Sequence, residues 1–261
     1  MQIGKYYFDL DNEPVIMGIL NVTPDSFSDG GKFNSIDKAL KHTAEMIRDG
    51  AKIIDVGGES TRPGYTPIDE QQEWERLEKI LKLIRSKVKI PISIDTFYPS
   101  VARKSMEYGA DIINDVKGCE NQEMFDIAAQ YGCGIIINHN FGSLNIKNFF
   151  RRKLSQASEH GIKSSQICFD PGIGFNKTRF QDAYIIKHLR EIKIPQCALL
   201  VGTSRKRLIG ACCGNPPPTH RMPGTIASNT IALLNGANII RVHDVKESVQ
   251  GLKVTEFINK V

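Results

Sequence analysis

The sequence lacks the features of an exported or membrane protein. No run of apolar residues is long enough to cross a bilayer, and the first residues, MQIGKYYFDLDNEP, contain no apolar core flanked by positive charge. The six cysteines form no C-x-x-C pair and have no histidine spacing typical of zinc. These absences argue against export, membrane insertion and a zinc centre, and they predict a cytoplasmic protein with reduced cysteines.

The chain also lacks a strong charge of one sign. Its net charge of +5 over 261 residues is modest and dispersed, and no basic segment is interleaved with aromatic residues as in nucleic-acid-binding proteins. Nucleic acid is therefore not an expected partner, whereas anionic small molecules are compatible. With 41% hydrophobic residues the chain can bury a large core. No linker divides it, so residues 1–261 are predicted to form a single domain.

Short apolar runs alternate with amphipathic segments of helical period along the chain. The runs are Val15 to Leu20, Lys52 to Val56, Ile90 to Ile94, Asp111 to Ile113, Gly134 to Ile137, Gln166 to Phe169, Ala198 to Val201 and Asn238 to Val242. The helical segments include Ile36 to Arg48, Glu70 to Lys87, Pro99 to Tyr108, Gln122 to Tyr131 and Thr225 to Asn235. This alternation predicts an α/β fold, a (β/α)₈ TIM barrel. Lys5 to Leu10 is predicted to form a strand of a hairpin outside it.

Polar residues close almost every predicted strand. In a (β/α)₈ barrel the carboxyl ends of the strands meet at one rim, where the chemistry lies. Taken singly, each of these residues could cap a helix or fix a turn. Together they would place many charges at one rim, which is costly without a ligand. The closing residues include Asn21, Asp95, Asn114, Asp115, His139, Asp170, Ser204, Lys206, Arg241, His243 and Asp244.

One group of these residues is cationic and amide-rich and follows the first, second and last strands, which are adjacent when a barrel closes. Its members are Asn21, Thr61, Arg62, Arg241 and His243. Guanidinium, hydroxyl and imidazole groups suit a phosphate or diphosphate. The amide of Asn21 is then free to hold Mg²⁺.

A second group combines carboxylates, an amide and a lysine. Its members are Asp95, Asn114, Asp170 and Lys206. Carboxylates and amides can pair with the ring N–H and amino groups of a planar heterocycle, and a lysine can donate to a ring carbonyl or nitrogen. This group predicts a site for such a heterocycle.

Seven motifs, each at a predicted strand end, resemble those of dihydropteroate synthases, in the same order and over nearly the whole chain. They are NVTPDSFSDGG (Asn21 to Gly31), DVGGESTRPG (Asp55 to Gly64), SIDTF (Ser93 to Phe97), INDV (Ile113 to Val116), DPGIGF (Asp170 to Phe175), GTSRK (Gly202 to Lys206) and RVHDV (Arg241 to Val245). The resemblance implies a transferase of folate biosynthesis. Such an enzyme condenses 6-hydroxymethyl-7,8-dihydropterin diphosphate with 4-aminobenzoate to give 7,8-dihydropteroate and diphosphate, and it is a target of sulfonamides.

The resemblance also implies roles for individual residues. The heterocycle group above becomes the pterin site, and the cationic group becomes the diphosphate and Mg²⁺ site. The catalytic residues are expected to be Asp95, Lys206, Arg241 and His243. The aminobenzoate contacts are expected at Phe27, Thr61, Pro63, Phe175 and Ser204. A homodimer is expected because the family is usually dimeric, with the later helices at the interface.

Two places depart from the family pattern. The family usually has Ser after the Lys of its S-R-K motif, where it receives the aminobenzoate carboxylate, but this chain has Arg207. Arg207 could pair with that carboxylate or swing outward. After the fifth strand the family commonly reads M-H-M, but this chain has Asn138-His139-Asn140 and then a shortened segment. The two Asn are expected to make this part of the pocket wall more polar. The charge run Arg151 to Lys153, within the shortened segment, is predicted to be a solvated face.

Two other functions remain open from the sequence. A pterin-binding methyltransferase shares the barrel and the folate pocket, but it releases no diphosphate and has no need of Thr61, Arg62, Arg241 and His243. A catalytically silent pterin-binding or assembly subunit is the alternative from a different class, and the intact polar set argues against it.

Overall fold

The computed structural model of the chain describes residues 1–10, 12–22, 31–59 and 68–261, with the backbone alone for residues 31–35. Parallel strands form a closed barrel in which sequence neighbours pair and the last strand pairs with the first. The barrel strands are β3 (Val15–Asn21), β4 (Ile53–Gly57), β5 (Ile92–Asp95), β6 (Ile112–Asp115), β7 (Gly134–Asn138), β8 (Ile167–Asp170), β9 (Ala198–Val201) and β10 (Ile239–Val242). The predicted TIM barrel is confirmed, with small shifts at the strand ends.

Helices connect the strands, as the alternating pattern predicts. They are α1 (Gly31–Arg48), α2 (Glu70–Lys87), α3 (Pro99–Glu107), α4 (Glu123–Tyr131), α5 (Ile146–Glu159), α6 (Arg179–Lys187), α7 (Leu189–Ile192), α8 (Arg207–Cys212), α9 (Met222–Leu234) and α10 (Val245–Asn259). α2 has the predicted bounds: it begins where the Asp69 side chain accepts a hydrogen bond from the Gln72 amide at 2.8 Å. Leu77, Leu81 and Ile84 recur at helical spacing on its buried face.

The inside of the barrel has two layers. Alternate residues of a strand point to the same side, and the inward residues near the amino ends of the strands form one apolar cluster. That cluster contains Val15, Met17, Ile53, Ile112, Ile136, Cys168, Ala198, Leu200 and Ile239. The next inward position on most strands is polar, as the strand pairing places Asp95 beside Asn114 and Asn138 beside Asp170. The barrel is therefore apolar towards its amino end and polar towards its carboxyl end.

The N-terminal hairpin covers the amino end of the barrel. β1 (Gln2–Ile3) pairs antiparallel with β2 (Tyr6–Tyr7), so the strand predicted at Lys5 to Leu10 exists but is shorter. Ile3 is fully buried within the apolar cluster of the lumen. The Asn238 side chain donates to the Leu10 carbonyl at 2.8 Å, which ties the hairpin to the start of β10.

The segment after β7 folds differently from one of the predictions. Arg151 and Arg152 are exposed, as predicted for the charge run, but Lys153 is buried. Its ammonium donates to the Cys119 carbonyl at 2.9 Å. The prediction is wrong for Lys153 because the buried face of α5 returns at helical spacing from Phe150 to Lys153 and Ala157.

Two further sequence predictions can be compared with the fold. All six cysteines are free, and none is paired. Within the described ranges, no helix combines the length and apolarity needed to cross a membrane.

Candidate functional site

Arg241 lies at the centre of the polar layer inside the barrel. Its Nε donates to Asp55 Oδ2 at 2.6 Å, and its Nη2 donates to Asp95 Oδ2 at 2.7 Å. Asn114 joins the group by donating its Nδ2 to Asp55 Oδ2 at 3.2 Å. Burial opposes the guanidinium charge, but Asp55 and Asp95 outweigh it and raise the pKa of Arg241. Side chains from β4, β5, β6 and β10 thus form one bonded cluster that keeps Arg241 charged.

Asp95 carries a carboxylate oxygen that has no hydrogen-bond partner among the described residues. Burial raises the pKa of this carboxyl above its usual range, and Arg241 opposes the shift. The neighbouring carboxylates of Asp55, Asp115 and Asp170 raise the pKa further. Oδ2 is bonded to Arg241, whereas Oδ1 is buried and has no hydrogen-bond partner among the described residues. A bound molecule with an N–H group could satisfy that oxygen.

Asp170 and Lys206 come from strand β8 and from the loop after β9. Asp170 Oδ1 accepts from the Gly172 amide at 2.7 Å, which fixes the carboxylate at the end of β8. Lys206 Nζ donates to the Ile173 carbonyl and lies 4.9 Å from the centre of the Phe175 ring. Burial lowers the pKa of Lys206 to about 8, although Asp170 opposes that shift. The structure therefore brings Asp170 and Lys206 together with an aromatic ring.

His243 and Ser204 link the loops that follow β10 and β9. Ser204 Oγ lies 3.0 Å from His243 Nδ1, and the His243 amide donates to the same Oγ at 3.2 Å. Next to them, Arg205 Nε donates to Asp244 Oδ2 at 3.0 Å. These bonds hold the predicted diphosphate residue His243 and the predicted aminobenzoate residue Ser204 against each other.

A cavity of about 590 Å³ opens beside Lys206 and Phe175. Arg207 borders it, and its Nη2 donates to the Gly174 carbonyl at 3.3 Å. The wall also includes Asn140, the second Asn of the departure after the fifth strand. The remaining lining residues are Phe97, Val116, Lys117, Gly174, Asn176, Lys177 and Thr178. This space can hold a second, flat molecule next to the polar layer.

The other predicted site residues are not part of this bonded cluster as far as the structure describes them. Phe27, Thr61, Arg62 and Pro63 fall outside the residues that the structure describes. Asn21 ends β3, pairs with Gly57 and is half-buried.

Two of the strand-closing residues serve packing and turns. His139 lies against the rings of Phe141 and Phe149, with centroids 5.6 and 5.0 Å away, and burial lowers its pKa to about 4. Asp115 accepts from the amides of Lys117 and Cys119 at 2.7 and 3.1 Å and so closes a turn.

Sequence reasoning missed two members of the polar layer. Asp55 lies within one of the seven motifs but has no predicted role, and Asn138 is predicted only to make the pocket wall more polar. Both occupy the inward position two residues beyond an apolar lumen residue, Ile53 and Ile136 respectively. That spacing within each run was the signal that could have identified them.

The chain is similar in sequence and in structure to pterin-binding enzymes. Residues 17–243 match the sequence profile of the family described as pterin binding enzyme. A dihydropteroate synthase of Clostridium beijerinckii is 43% identical over an alignment of 267 positions, which covers 99% of each chain. A dihydropteroate synthase from Clostridium difficile, solved in the presence of pteroic acid, has a TM-score of 0.93 and 39% identity, covering 98% of this chain and 100% of that one. The Xanthomonas albilineans synthase in complex with 7,8-dihydropteroate has a TM-score of 0.89 and 31% identity, over 97% and 96% of the two chains.

Proposed function

This chain belongs to the pterin binding enzyme family, among its dihydropteroate synthases, and on that premise we propose how its own residues carry out the reaction. The enzyme condenses 6-hydroxymethyl-7,8-dihydropterin diphosphate with 4-aminobenzoate, giving 7,8-dihydropteroate and diphosphate in folate biosynthesis. One observation carries the proposal: Asp95, Asn114, Asp170, Lys206 and Arg241 converge on the carboxyl end of one barrel. Folding alone gives no reason to gather these groups there.

The pterin ring binds in the polar layer. Asp170 and the unpaired Oδ1 of Asp95 accept hydrogen bonds from ring N–H and amino groups. Asn114 adds an amide at the same level of the lumen. Lys206 donates to a ring carbonyl or nitrogen, and the cation also faces the Phe175 ring. These contacts orient the exocyclic methylene towards the cavity beside Phe175.

Arg241 and His243 receive the leaving diphosphate. The bonds of Arg241 to Asp55 and Asp95 occupy two of its five N–H donors. The remaining donors can bind phosphate oxygens while the two carboxylates hold the guanidinium in place. Thr61 and Arg62 belong to the same proposed site and lie outside the described residues.

Mg²⁺ is the proposed cofactor. The described part of the chain contains no cluster of three or more His, Cys, Asp or Glu able to hold a metal. Mg²⁺ does not need one, because it is commonly held by one or two protein oxygens, water and substrate phosphates. Asn21 offers such an oxygen at the rim, next to the proposed diphosphate site. When bound, the ion neutralises negative charge on the departing diphosphate.

In the chemical step the C–O bond to diphosphate breaks, and the electron pair leaves with the diphosphate. Positive charge develops on the exocyclic methylene and spreads into the pterin ring, where the Asp95 carboxylate stabilises it. The aniline nitrogen of 4-aminobenzoate then forms the new C–N bond and loses one proton, which the released diphosphate accepts directly or through water. No protein nucleophile takes part.

The aminobenzoate occupies the cavity beside Phe175. Phe175 packs on the ring, and Arg207 at the cavity edge pairs with the carboxylate. Ser204 belongs to the same proposed subsite. Phe27, Thr61 and Pro63 complete this subsite in the proposal. Arg207 replaces the serine usual in the family. Because sulfonamides compete with aminobenzoate for this subsite, their inhibition constants should depend on Arg207.

Release of diphosphate on mixing the two substrates tests the function. The wild-type enzyme should release one diphosphate for each dihydropteroate formed, and Asp95→Ala should abolish release. Methyl transfer from methyltetrahydrofolate without diphosphate release would favour a methyltransferase. A chain that binds pterin but neither releases diphosphate nor rescues a folate-requiring strain would be a silent subunit.

The proposed enzyme is a cytoplasmic homodimer. Free cysteines suit a reducing compartment. α9 and α10 border an apolar groove of about 530 Å³, lined by Met222, Ile226, Leu234, Val254 and Ile258 among others. A second copy of the chain is the proposed occupant of this groove, in line with the dimers usual in the family.

A further inference from the structure

The inward position of β7 holds a polar side chain that the mechanism above does not use. Asn138 lies two residues beyond Ile136, which belongs to the apolar lumen cluster, so both point into the barrel. It pairs in register with Asp170 on β8. Neighbouring strands are about 4.8 Å apart, so the Asn138 amide and the Asp170 carboxylate stand side by side on the lumen wall.

The Asn138 amide is not fully bonded within the protein. The side chain is 2% exposed, and its Oδ1 is buried without a hydrogen-bond partner among the described residues. Leaving a buried polar atom unpaired is unfavourable. Leucine or methionine would occupy a similar space without that penalty. A polar group kept at such a position points to a partner that arrives with a ligand.

The loop after β8 fixes the place of this amide. Gly172 has a φ of +69°, and a Cβ on it would lie 2.8 Å from Asn138 Oδ1 and closer still to the His139 carbonyl oxygen. The Gly172 amide meanwhile donates to Asp170 Oδ1. One short loop therefore packs on Asn138 and orients Asp170, so the two side chains are positioned together.

We infer that Asn138 is a pterin-binding, specificity-determining residue whose side-chain amide hydrogen-bonds the edge of the ring that Asp170 also contacts. The inference rests on the proposed function and extends its pterin site. That edge carries an amino group, a ring N–H and a carbonyl oxygen. A carboxylate only accepts, whereas an amide both donates and accepts, so the pair matches the mixed edge. The methionine common at this place in the family offers only a weak acceptor.

The test replaces the amide by apolar side chains of similar size, Asn138→Leu and Asn138→Met. Each should weaken binding of the pterin diphosphate by about tenfold, as expected for one lost hydrogen bond. The KM for 4-aminobenzoate should stay unchanged. The melting temperature of the unliganded enzyme should stay the same or rise, because the variants remove an unpaired polar atom.

Asn138→Met keeps the test informative if the leucine variant does not fold, since the family commonly has methionine at this position. Unchanged pterin affinity in either folded variant overturns the inference. Weaker binding together with a lower melting temperature of the unliganded enzyme also overturns it, because that pattern indicates a structural role.

Ser105→Ala is the matched control. Ser105 Oγ is also buried and without a partner among the described residues, but it lies on α3, outside the lumen. Its removal should leave pterin binding unchanged. Absence of diphosphate release by the wild-type enzyme contradicts the proposed function, whereas an active wild type with unaffected Asn138 variants contradicts this inference alone.

Discussion

At the scale of the residue, Lys206 carries a charge that moderate alkaline pH can remove. Burial lowers its pKa to about 8, with Arg241 adding to the shift and Asp170 opposing it. The proposed mechanism needs the protonated amine as a donor to the pterin, and this form is lost as pH rises through the pKa. We therefore expect the alkaline limb of kcat/KM for the pterin diphosphate to fall as pH rises through about 8.

Initial rates measured across pH, at saturating 4-aminobenzoate, check this expectation. Lys206→Arg is the informative variant, because a guanidinium stays charged throughout the range. Its alkaline limb should move to higher pH, although poorer geometry should lower the rate. Lys206→Met should be slow at every pH. If the alkaline limb of Lys206→Arg coincides with that of the wild type, another group controls the decline.

Arg207 gives a second prediction at this scale. It is exposed, with one bond from Nη2 to the Gly174 carbonyl at 3.3 Å. An exposed ion pair with a carboxylate contributes at most about 1 kcal/mol, or roughly fivefold in affinity. Arg207→Ser should raise the KM for 4-aminobenzoate by a factor of about two to five, change the inhibition constant of a sulfonamide, and leave the KM for the pterin diphosphate unaltered.

The control for Arg207 is Arg151→Ser, which removes an exposed arginine on α5. The effect of Arg207→Ser should shrink at high ionic strength, since salt screens exposed charges. An unchanged KM for aminobenzoate together with unchanged sulfonamide inhibition would show that Arg207 points away from the substrate.

Residues at the ends of strands could be predicted from the sequence better than those within them. Asp95 and Asp170 follow apolar runs, and Arg241 stands out as the one charge within the run Asn238 to Val242; the barrel brings all three to one end as expected. Asp55 was missed because it lies inside the run Lys52 to Val56 and reads as part of a buried strand. The bonds of Arg241 to two carboxylates could not be predicted, because they depend on the register that sets Arg241 beside Met17 and Asp95 beside Gly57.

At the scale of the element, the loop after β8 depends on Gly172. Its φ is +69°, and an added Cβ would overlap the His139 carbonyl and approach Asn138 Oδ1 to 2.8 Å. Gly172→Ala should therefore destabilise the fold by roughly 2–5 kcal/mol, from backbone strain and overpacking combined. It should also weaken pterin binding, because the loop carries the amide that holds Asp170.

Gly161→Ala is the matched control for that loop. Gly161 also has a positive φ, +82°, but an added Cβ would meet nothing within 4 Å. It should cost only the strain of a left-handed alanine, about 1–2 kcal/mol. Urea unfolding of the two variants measures the difference. Equal destabilisation would mean that the close approach of Gly172 to β7 has no energetic weight.

The bounds of a strongly amphipathic helix could be predicted from the sequence, but the burial of a single lysine within a run of charged residues could not. α2 has the predicted bounds because its apolar face and its Asp69 cap agree. Lys153 was assigned to solvent because it stands in a run of three cations. It is buried because Cys119, with a φ of 53°, offers it a carbonyl oxygen. That partner lies 34 residues away in the sequence, so the run of three cations does not indicate it.

At the scale of the whole molecule, counting strand and helix repeats was enough to predict a closed barrel. The sequence did not show that the N-terminal hairpin covers the amino end of the lumen, because Ile3 carries no local signal of its distant contacts. The polar residues lie at the opposite, carboxyl end of the lumen. The outer surface still exposes apolar side chains on α10, including Val254, Phe257 and Ile258.

These exposed side chains give the last prediction. A stable protein–protein interface buries about 1,600 Å² in total with an apolar centre, and the groove between α9 and α10 supplies such a centre. Val254→Glu would place a charge in that centre and should convert the proposed dimer to a monomer without altering the circular dichroism of the fold. Phe180→Glu is the control, because Phe180 is 74% exposed on α6 and does not line the groove. Sedimentation over a range of concentrations measures the oligomeric state of each variant. A wild type that sediments as a monomer would show that this groove is not where two copies meet. A Val254→Glu variant that dimerises as well as Phe180→Glu would show the same.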